Sequence, residues 1–233
     1  MNLETLNEKL RSIKKMGFVK SRRTGNTGIG KTLEDLLGIK ENNIPLSDIG
    51  EIAELKSYRI NAKSMVTLFT LEPLPKGGDR DRKLLDNFGY SKRDNARSKE
   101  LHSTLTCNKY NNQSLRLRIV KDKVRVQAEN KKLNIYWDIN SLEEKFKKKL
   151  PALVFALAVT KVIKGVEYFY YREAYFLEGF DFELFKIRVK KDDVLVDFRM
   201  YYRPDGSVRN HGTAFRVKAK KLDDCFPKKT RLI

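Results

Sequence analysis

Residues 150–159 read Leu-Pro-Ala-Leu-Val-Phe-Ala-Leu-Ala-Val, and the apolar character continues to Ile163 with one lysine on the way. A segment with no polar face has to be enclosed on all sides, so this one fixes the centre of whatever fold forms. Pro151 stops a helix arriving from the N-terminal side. The pattern over 152–163 predicts a buried helix around which the other elements pack. The run is about half what a bilayer span needs, and the chain opens on a polar helical pattern rather than a signal peptide. Both features predict a cytoplasmic protein that does not enter a membrane.

The remaining sequence is strongly basic. Lys and Arg number 49 against 30 Asp and Glu, a formal charge of +19 on 233 residues, which points to a polyanionic partner, nucleic acid first. At 40% hydrophobic content the chain can bury a core as one domain or two lobes. Two cysteines, Cys107 and Cys225, and two histidines, without a CxxC pair, argue against a zinc site and predict reduced thiols.

Leu3, Leu6, Leu10 and Ile13 recur at helical spacing and predict an amphipathic surface helix over 2–16. Ser21-Arg22-Arg23-Thr24 follows, a basic stretch that is a phosphate contact or a solvated linker. Residues 25–32, Gly-Asn-Thr-Gly-Ile-Gly-Lys-Thr, satisfy the phosphate-loop pattern G-x-x-x-x-G-K-[ST]. Such a loop has to follow a buried parallel strand, and only Phe18 and Val19 precede it, so the nucleotide-hydrolase reading fails on context. A short helix ending at Gly38 and a polar turn at 40–43 come next.

Strand signals dominate the rest. Residues 64–71 predict a strand that pairs with the one before it, and 75–100 a mobile basic connection that is either a DNA-contacting segment, with Tyr90 and Asn95 as polar contacts, or a solvated surface. Residues 115–138 alternate at period two as an antiparallel meander, apolar on one face and carrying Arg116, Arg118 and Arg125 on the other. Ser141-Leu142-Glu143-Glu144 has the form of a capping box opening a lysine-rich helix. Residues 168–171 and 175–176 form an aromatic cluster, read first as a buried strand and second as a surface that stacks on bases or lines a groove. Strands are expected at 185–189 and 194–202, then a turn at 204–207 and a third strand through Phe215 and Val217.

Chemistry concentrates at 45–59. Alternation over 53–56 predicts a strand, which places Glu54 and Lys56 side by side on one face. Asp48, between Pro45 and Gly50, is positioned to turn back towards them, with Glu51 as a neighbouring acid. Carboxylate oxygens suit Mg²⁺, which takes one or two protein carboxylates with waters and phosphate oxygens. The glycine-rich loop, the helix carrying Glu34, then Asp48 and Glu54-Leu55-Lys56 together resemble the catalytic core of the MvaI/BcnI-type restriction endonucleases, in the MutH-like branch of the PD-(D/E)xK nucleases. Arg209-Asn210-His211-Gly212-Thr213-Ala214-Phe215-Arg216 resembles the DNA-recognition segment of the same enzymes.

The resemblance implies an α/β (α+β) fold, a restriction-endonuclease-like mixed sheet flanked by helices, with two lobes around a DNA-binding cleft. Residues 1–170 would be mainly the catalytic lobe, with a core motif at 25–72, and 171–233 mainly the recognition lobe with its hairpin, the lobes not necessarily continuous in sequence. It implies Glu34, Asp48, Glu54 and Lys56 as catalytic, with Asp48, Glu54 and Glu34 as ligands of Mg²⁺. Arg209, Asn210, His211, Arg216 and Lys218 are the candidates for DNA recognition. The expected activity is type II cleavage of double-stranded DNA at a short CCNGG-type site by a monomer, with a cognate DNA methyltransferase as companion. The alternatives are a MutH-like strand-nicking enzyme and a non-catalytic basic DNA-binding protein.

Overall fold

The computed structural model describes residues 1–39, 48–50, 52–92 and 95–233, without the side chains of 92 and 95–98. Pro45, Glu51, the turn at 40–43 and the Asn95 side chain lie outside the described residues. In chain order the elements are α1 (Leu3–Lys15), β1 (Val19–Lys20), α2 (Gly28–Leu37), β2 (Glu54–Arg59), β3 (Met65–Thr70), α3 (Gly78–Phe88), β4 (Tyr90–Lys92) and β5 (Asn95–Leu105). They continue with β6 (Leu115–Val120), β7 (Lys123–Ala128), β8 (Ile135–Asp138), α4 (Ile139–Lys149), β9 (Leu153–Ile163) and β10 (Val166–Glu178). The last are α5 (Phe182–Lys190), β11 (Val194–Tyr202), β12 (Val208–Asn210), β13 (Ala214–Lys218), α6 (Leu222–Cys225) and β14 (Lys228–Arg231). Mixed sheets flanked by helices are the fold class expected from the sequence. The chain divides into two compact units, one of Met1–Val66, Lys147–Asp181 and Leu222–Ile233, the other of Thr67–Phe146 and Phe182–Lys221.

The first unit is a five-stranded sheet ordered β1-β10-β9-β2, with β14 on β10 as well. β9 and β10 form a long antiparallel hairpin, and β2 lies parallel to β9 at the edge. The apolar run is therefore strand β9 and not a buried helix. An inner strand covered on both faces loses its period-two signature, so its sequence is indistinguishable from that of an enclosed helix. Ala156 and Ala158 on β9 lie in the core with Leu55, Phe169, Tyr171 and Ala174, and α1 and α2 contribute Leu6, Leu10, Ile13, Ile29, Leu33 and Leu37. Each large side chain so enclosed adds about 1.5–3 kcal/mol. α1 starts where Asn2 Oδ1 accepts from the Thr5 amide at 2.9 Å, and α2 stops at Gly38, whose φ of 77° suits glycine.

The second unit contains a six-stranded sheet, β3-β13-β11-β5-β4 with β12 on β11, and the three-stranded meander β6-β7-β8. β3 therefore joins β13, and not β2 as the sequence predicted. Its core is aromatic: Phe69 stacks on Phe215 at 4.9 Å between ring centroids, and Phe146, Phe185 and Trp137 pack around them. Trp137 Nε1 donates to the Leu71 carbonyl at 2.8 Å, which meets its buried polar end.

Three local expectations change. Residues 185–189 belong to helix α5, because Phe182, Phe185 and Val189 form its buried stripe while Ile187 is exposed. The stretch 75–100 holds α3 and β4, with Leu84 and Leu85 buried. α4 begins at Ile139, where Asp138 Oδ1 accepts from the amides of Asn140 and Ser141, so Asp138 performs the capping expected of Ser141.

Candidate active site and nucleic-acid face

β2 places the acids and lysine. The amides of Glu54 and Ile60 donate to β9, at Ala152 and Ala158, so by strand alternation the Leu55 amide faces the open edge. Asp48 Oδ2 accepts from it at 3.0 Å. That contact brings the carboxylate from the preceding turn onto β2 at the residue between Glu54 and Lys56. Leu55 points into the core, and Glu54 and Lys56 share the other face, with Lys56 Nζ 2.6 Å from Glu54 Oε1. The Glu54 side chain is only 6% exposed. Lys149, from the last turn of α4, places its Nζ 3.5 Å from Glu54 Oε2. A buried carboxylate carries a large desolvation cost unless cations face it, and here two do.

Glu34 approaches from elsewhere. It lies on α2, which packs on the Leu55 face, and a Cβ added at Gly30 would be 3.9 Å from Glu34 Oε1 and 3.7 Å from Ser57 Oγ. The structure thus brings Asp48, Glu54 and Lys56 together, while Glu34 Oε1 and Ser57 Oγ both approach Gly30. Ser57 Oγ is buried with no hydrogen-bond partner among the described residues. Arg59 grips Glu167 with two bonds of 2.7 and 2.8 Å, and its guanidinium also reaches the carbonyls of Asn26 and Gly25. That pairing holds the Arg59 pKa above its ordinary value.

Among the described residues no three His, Cys, Asp or Glu side chains converge as a metal-binding group. Two hard carboxylates on adjoining backbone, with a lysine beside them, fit Mg²⁺, whose shell waters and phosphate oxygens complete, and fit poorly with a metal that needs an all-protein cage.

The glycine-rich loop is not built as a phosphate cradle. The preceding β1 is a two-residue strand antiparallel to β10. Lys31 pairs with Asp35 at 2.8 Å, and Thr32 Oγ1 accepts from the Arg22 amide. Gly28 is required for packing, since a Cβ there would lie 2.3 Å from the Arg23 carbonyl oxygen.

The second unit presents a basic sheet face. Val196, Phe198 and Met200 of β11 point into one core, which sets Asp197, Arg199 and Tyr201 on the other face; Asp197 is itself buried there, and Arg199 and Tyr201 are half-buried. Arg199 is opposite His102 of β5, and Tyr201 is opposite Arg209 of β12. Arg209 is exposed, and His211, also exposed, packs its ring 5.6 Å from Tyr201. Desolvation first, then the neighbouring Arg209, Arg199 and His102, hold the His211 pKa below its ordinary value.

The other recognition candidates have internal roles. Asn210 Nδ2 donates to Glu72 and Asp81, and its Oδ1 accepts from the Gly212 amide at 2.8 Å. Glu72 and Asp81 are in turn held by the buried Arg80. Arg216 binds Asp197 at 2.6 Å, and Lys218 reaches the Asp192 carbonyl from an exposed position. Sequence reasoning missed Lys149, Arg199 and His102. The signal for Arg199 was its alternation with Val196 and Phe198; nothing local in sequence marks Lys149, which a parallel strand and a distant helix bring to Glu54.

The model of the MvaI/BcnI restriction endonuclease family matches residues 7–226. Among solved structures, restriction endonuclease MvaI in complex with its cognate DNA substrate aligns with a TM-score of 0.86 and 27% identity, covering 100% of both chains. MvaI in the absence of DNA aligns with a TM-score of 0.58 and 27% identity, covering 100% of this chain and 99% of that one. No curated protein sequence matches.

Proposed function

Since the chain belongs to the MvaI/BcnI restriction endonuclease family, whose members are site-specific deoxyribonucleases, we propose that it is a Mg²⁺-dependent type II enzyme that hydrolyses double-stranded DNA at a short CCNGG-type site. The observation that carries this reading is the cluster on β2: Asp48 on the Leu55 amide, Glu54 buried beside it, and Lys56 2.6 Å from Glu54. Asp48 and Glu54 would hold Mg²⁺, which when bound polarises the scissile phosphate and acidifies a coordinated water. Lys56 adds a fixed cation with three donors, which orients the attacking water and offsets the negative charge that develops on the phosphate. Glu34, near Ser57, acts as a supporting acid on the other face of β2.

The first unit is the catalytic lobe and the second reads the bases. Arg209 is suited to a bidentate contact with guanine, and His211, Arg199 and His102 supply further donors on the same sheet face. Asn210 serves recognition by fixing the backbone that carries Arg209 and His211. Arg216 and Lys218 contribute charge at the rim. The protein acts as a monomer, and a cognate methyltransferase protects host DNA. Among the described residues no helix is long and apolar enough to cross a membrane.

The test is incubation with unmethylated phage DNA in Mg²⁺, beside EDTA and Glu54→Ala controls, followed by sequencing of fragment ends. Discrete fragments, lost in both controls, are expected, and their ends define the site. Relaxation of supercoiled plasmid without double-strand breaks would indicate a nickase, and intact DNA a binding protein.

A further inference from the structure

The meander β6-β7-β8 has a face that the reading above does not use. Its inward positions, Leu115, Leu117, Val124, Val126, Ile135 and Trp137, are buried. By alternation the outward positions of β6 and β7 are Arg116, Arg118, Val120, Lys123, Arg125 and Gln127, and those of β8 are Tyr136 and Asp138. The register sets Arg118 directly opposite Arg125, and Arg125 directly opposite Tyr136. Like charges at directly opposed positions weaken a sheet. Arg118 and Arg125 are exposed and make no ion pair among the described residues, and the contact of Arg125 with the Tyr136 ring is long, at 5.8 Å. Asp138 is the sole acid among these outward positions, and its carboxylate caps α4. Glu129, at the edge of the face, bonds Ser114.

The face is also shaped. Lys123 Nζ lies 4.5 Å above the Tyr136 ring and Arg116 sits 4.5 Å above Tyr110, so aromatic rings hold the cations in place. Beside them an open depression of about 860 Å³ carries Arg118, Arg125, Lys131 and Lys132 in its lining, against the one acid Glu129. An arginine pair set directly opposite on a sheet, with aromatic supports and with the nearby acids Asp138 and Glu129 bonded elsewhere, carries a modest cost that an anionic partner removes.

We propose that this face binds the phosphate backbone of duplex DNA flanking the recognition site, so that the enzyme's footprint exceeds the bases it reads. The inference rests on the nuclease reading. Its contacts are to phosphates, so they add affinity without sequence information. The partner is duplex, because two directly opposed guanidinium groups on one sheet face suit neighbouring backbone phosphates, while the rings on this side, Tyr110 and Tyr136, each lie under a cation and are not free to stack an unpaired base.

The test compares the wild type with Arg118→Gln/Arg125→Gln, and with Lys123→Gln as an independent second variant. Binding is measured in EDTA to a duplex that just contains the mapped cleavage site and to one with about one further helical turn on each side. The wild type should bind the longer duplex more tightly. The double variant should lose that advantage, and its log K against log salt should be shallower by about 1.8, two phosphates' worth. Between about 50 and 200 mM salt that is roughly a tenfold smaller fall in affinity. Fragment ends should be unchanged. A wild type with no length advantage, variants that keep the advantage and the slope, or a gain from single-stranded flanks alone would each overturn the inference. Loss of the nuclease reading shows separately, as a wild type that leaves phage DNA intact.

Discussion

Lys149 Nζ stands 3.5 Å from Glu54 Oε2, while the other oxygen of the same carboxylate is held by Lys56. Lys149 closes α4, where a cation is favoured by the helix dipole, so its ammonium is placed by the helix and not by the strand motif. It faces the oxygen that a metal ion would also seek. Replacing it with Met, similar in reach but uncharged, should lower the Mg²⁺ concentration for half-maximal cleavage by roughly three- to tenfold, as one competing charge-assisted bond is lost. Calorimetric titration of Mg²⁺ reads the same change without turnover. A higher requirement would mean that Lys149 positions Glu54 for the metal instead of competing with it.

Lys56→Met tests the other ammonium. If Lys56 acts on the developing charge, single-turnover cleavage should fall by about 10²–10³-fold. Duplex affinity in EDTA should stay near the wild-type value, because Lys56 is partly buried against Glu54. A parallel loss of binding would place it in DNA contact rather than in the chemistry.

Asn210 and Arg209 are neighbours with opposite expected behaviour. Asn210→Ala strips donors from Glu72 and Asp81, costing about 1–3 kcal/mol, and the melting temperature should drop by about 2–10 °C. Arg209→Ala should leave melting unchanged, since Arg209 is exposed. It should instead weaken cognate binding by about 1–3 kcal/mol, with relaxed preference at one base pair. Equal melting losses in both variants would contradict this division.

His211 offers a pH readout. Its pKa in the folded protein is depressed by desolvation and by the Arg209, Arg199 and His102 charges. A depressed value favours the neutral ring, so its stabilising effect is present above the ordinary histidine pKa and is lost as pH falls through the folded value. One of the two histidine ring signals in NMR should therefore titrate below about 6.5. It should disappear in His211→Asn and move to higher pH when duplex is added in EDTA, because phosphates reverse the local field. A midpoint unmoved by DNA would place His211 away from the phosphates.

The sequence was most readable where one face of an element meets solvent. Leu6, Leu10 and Ile13 of α1, and the alternating Leu115 to Trp137 of the meander, carry their period because the other positions are polar. It was least readable where burial is complete, as in β9, or where two periods coincide, as in α5. There Phe185, Ile187 and Val189 mimic a strand, and only Phe182 reveals the helix. The Asp48-Glu54-Lys56 grouping could be read because one strand and its preceding turn supply all three residues. Lys149 meets Glu54 across 95 positions, and Arg199 pairs with His102 across 97, which local patterns do not encode.

Leu232 and Ile233 pack into the same core cluster as Leu6 and Leu10, and β2 pairs with a strand that lies on the far side of Thr67–Phe146 in sequence. On the ribosome the first unit is therefore assembled late. Glu54 and Lys56 emerge early but have no β9 beside them until the chain has grown by about a hundred residues, and their core cluster lacks Leu232 and Ile233 for longer still. A nascent chain holds the acids and the lysine without the scaffold that aligns them, so the centre proposed above takes shape only after most of the chain has been made.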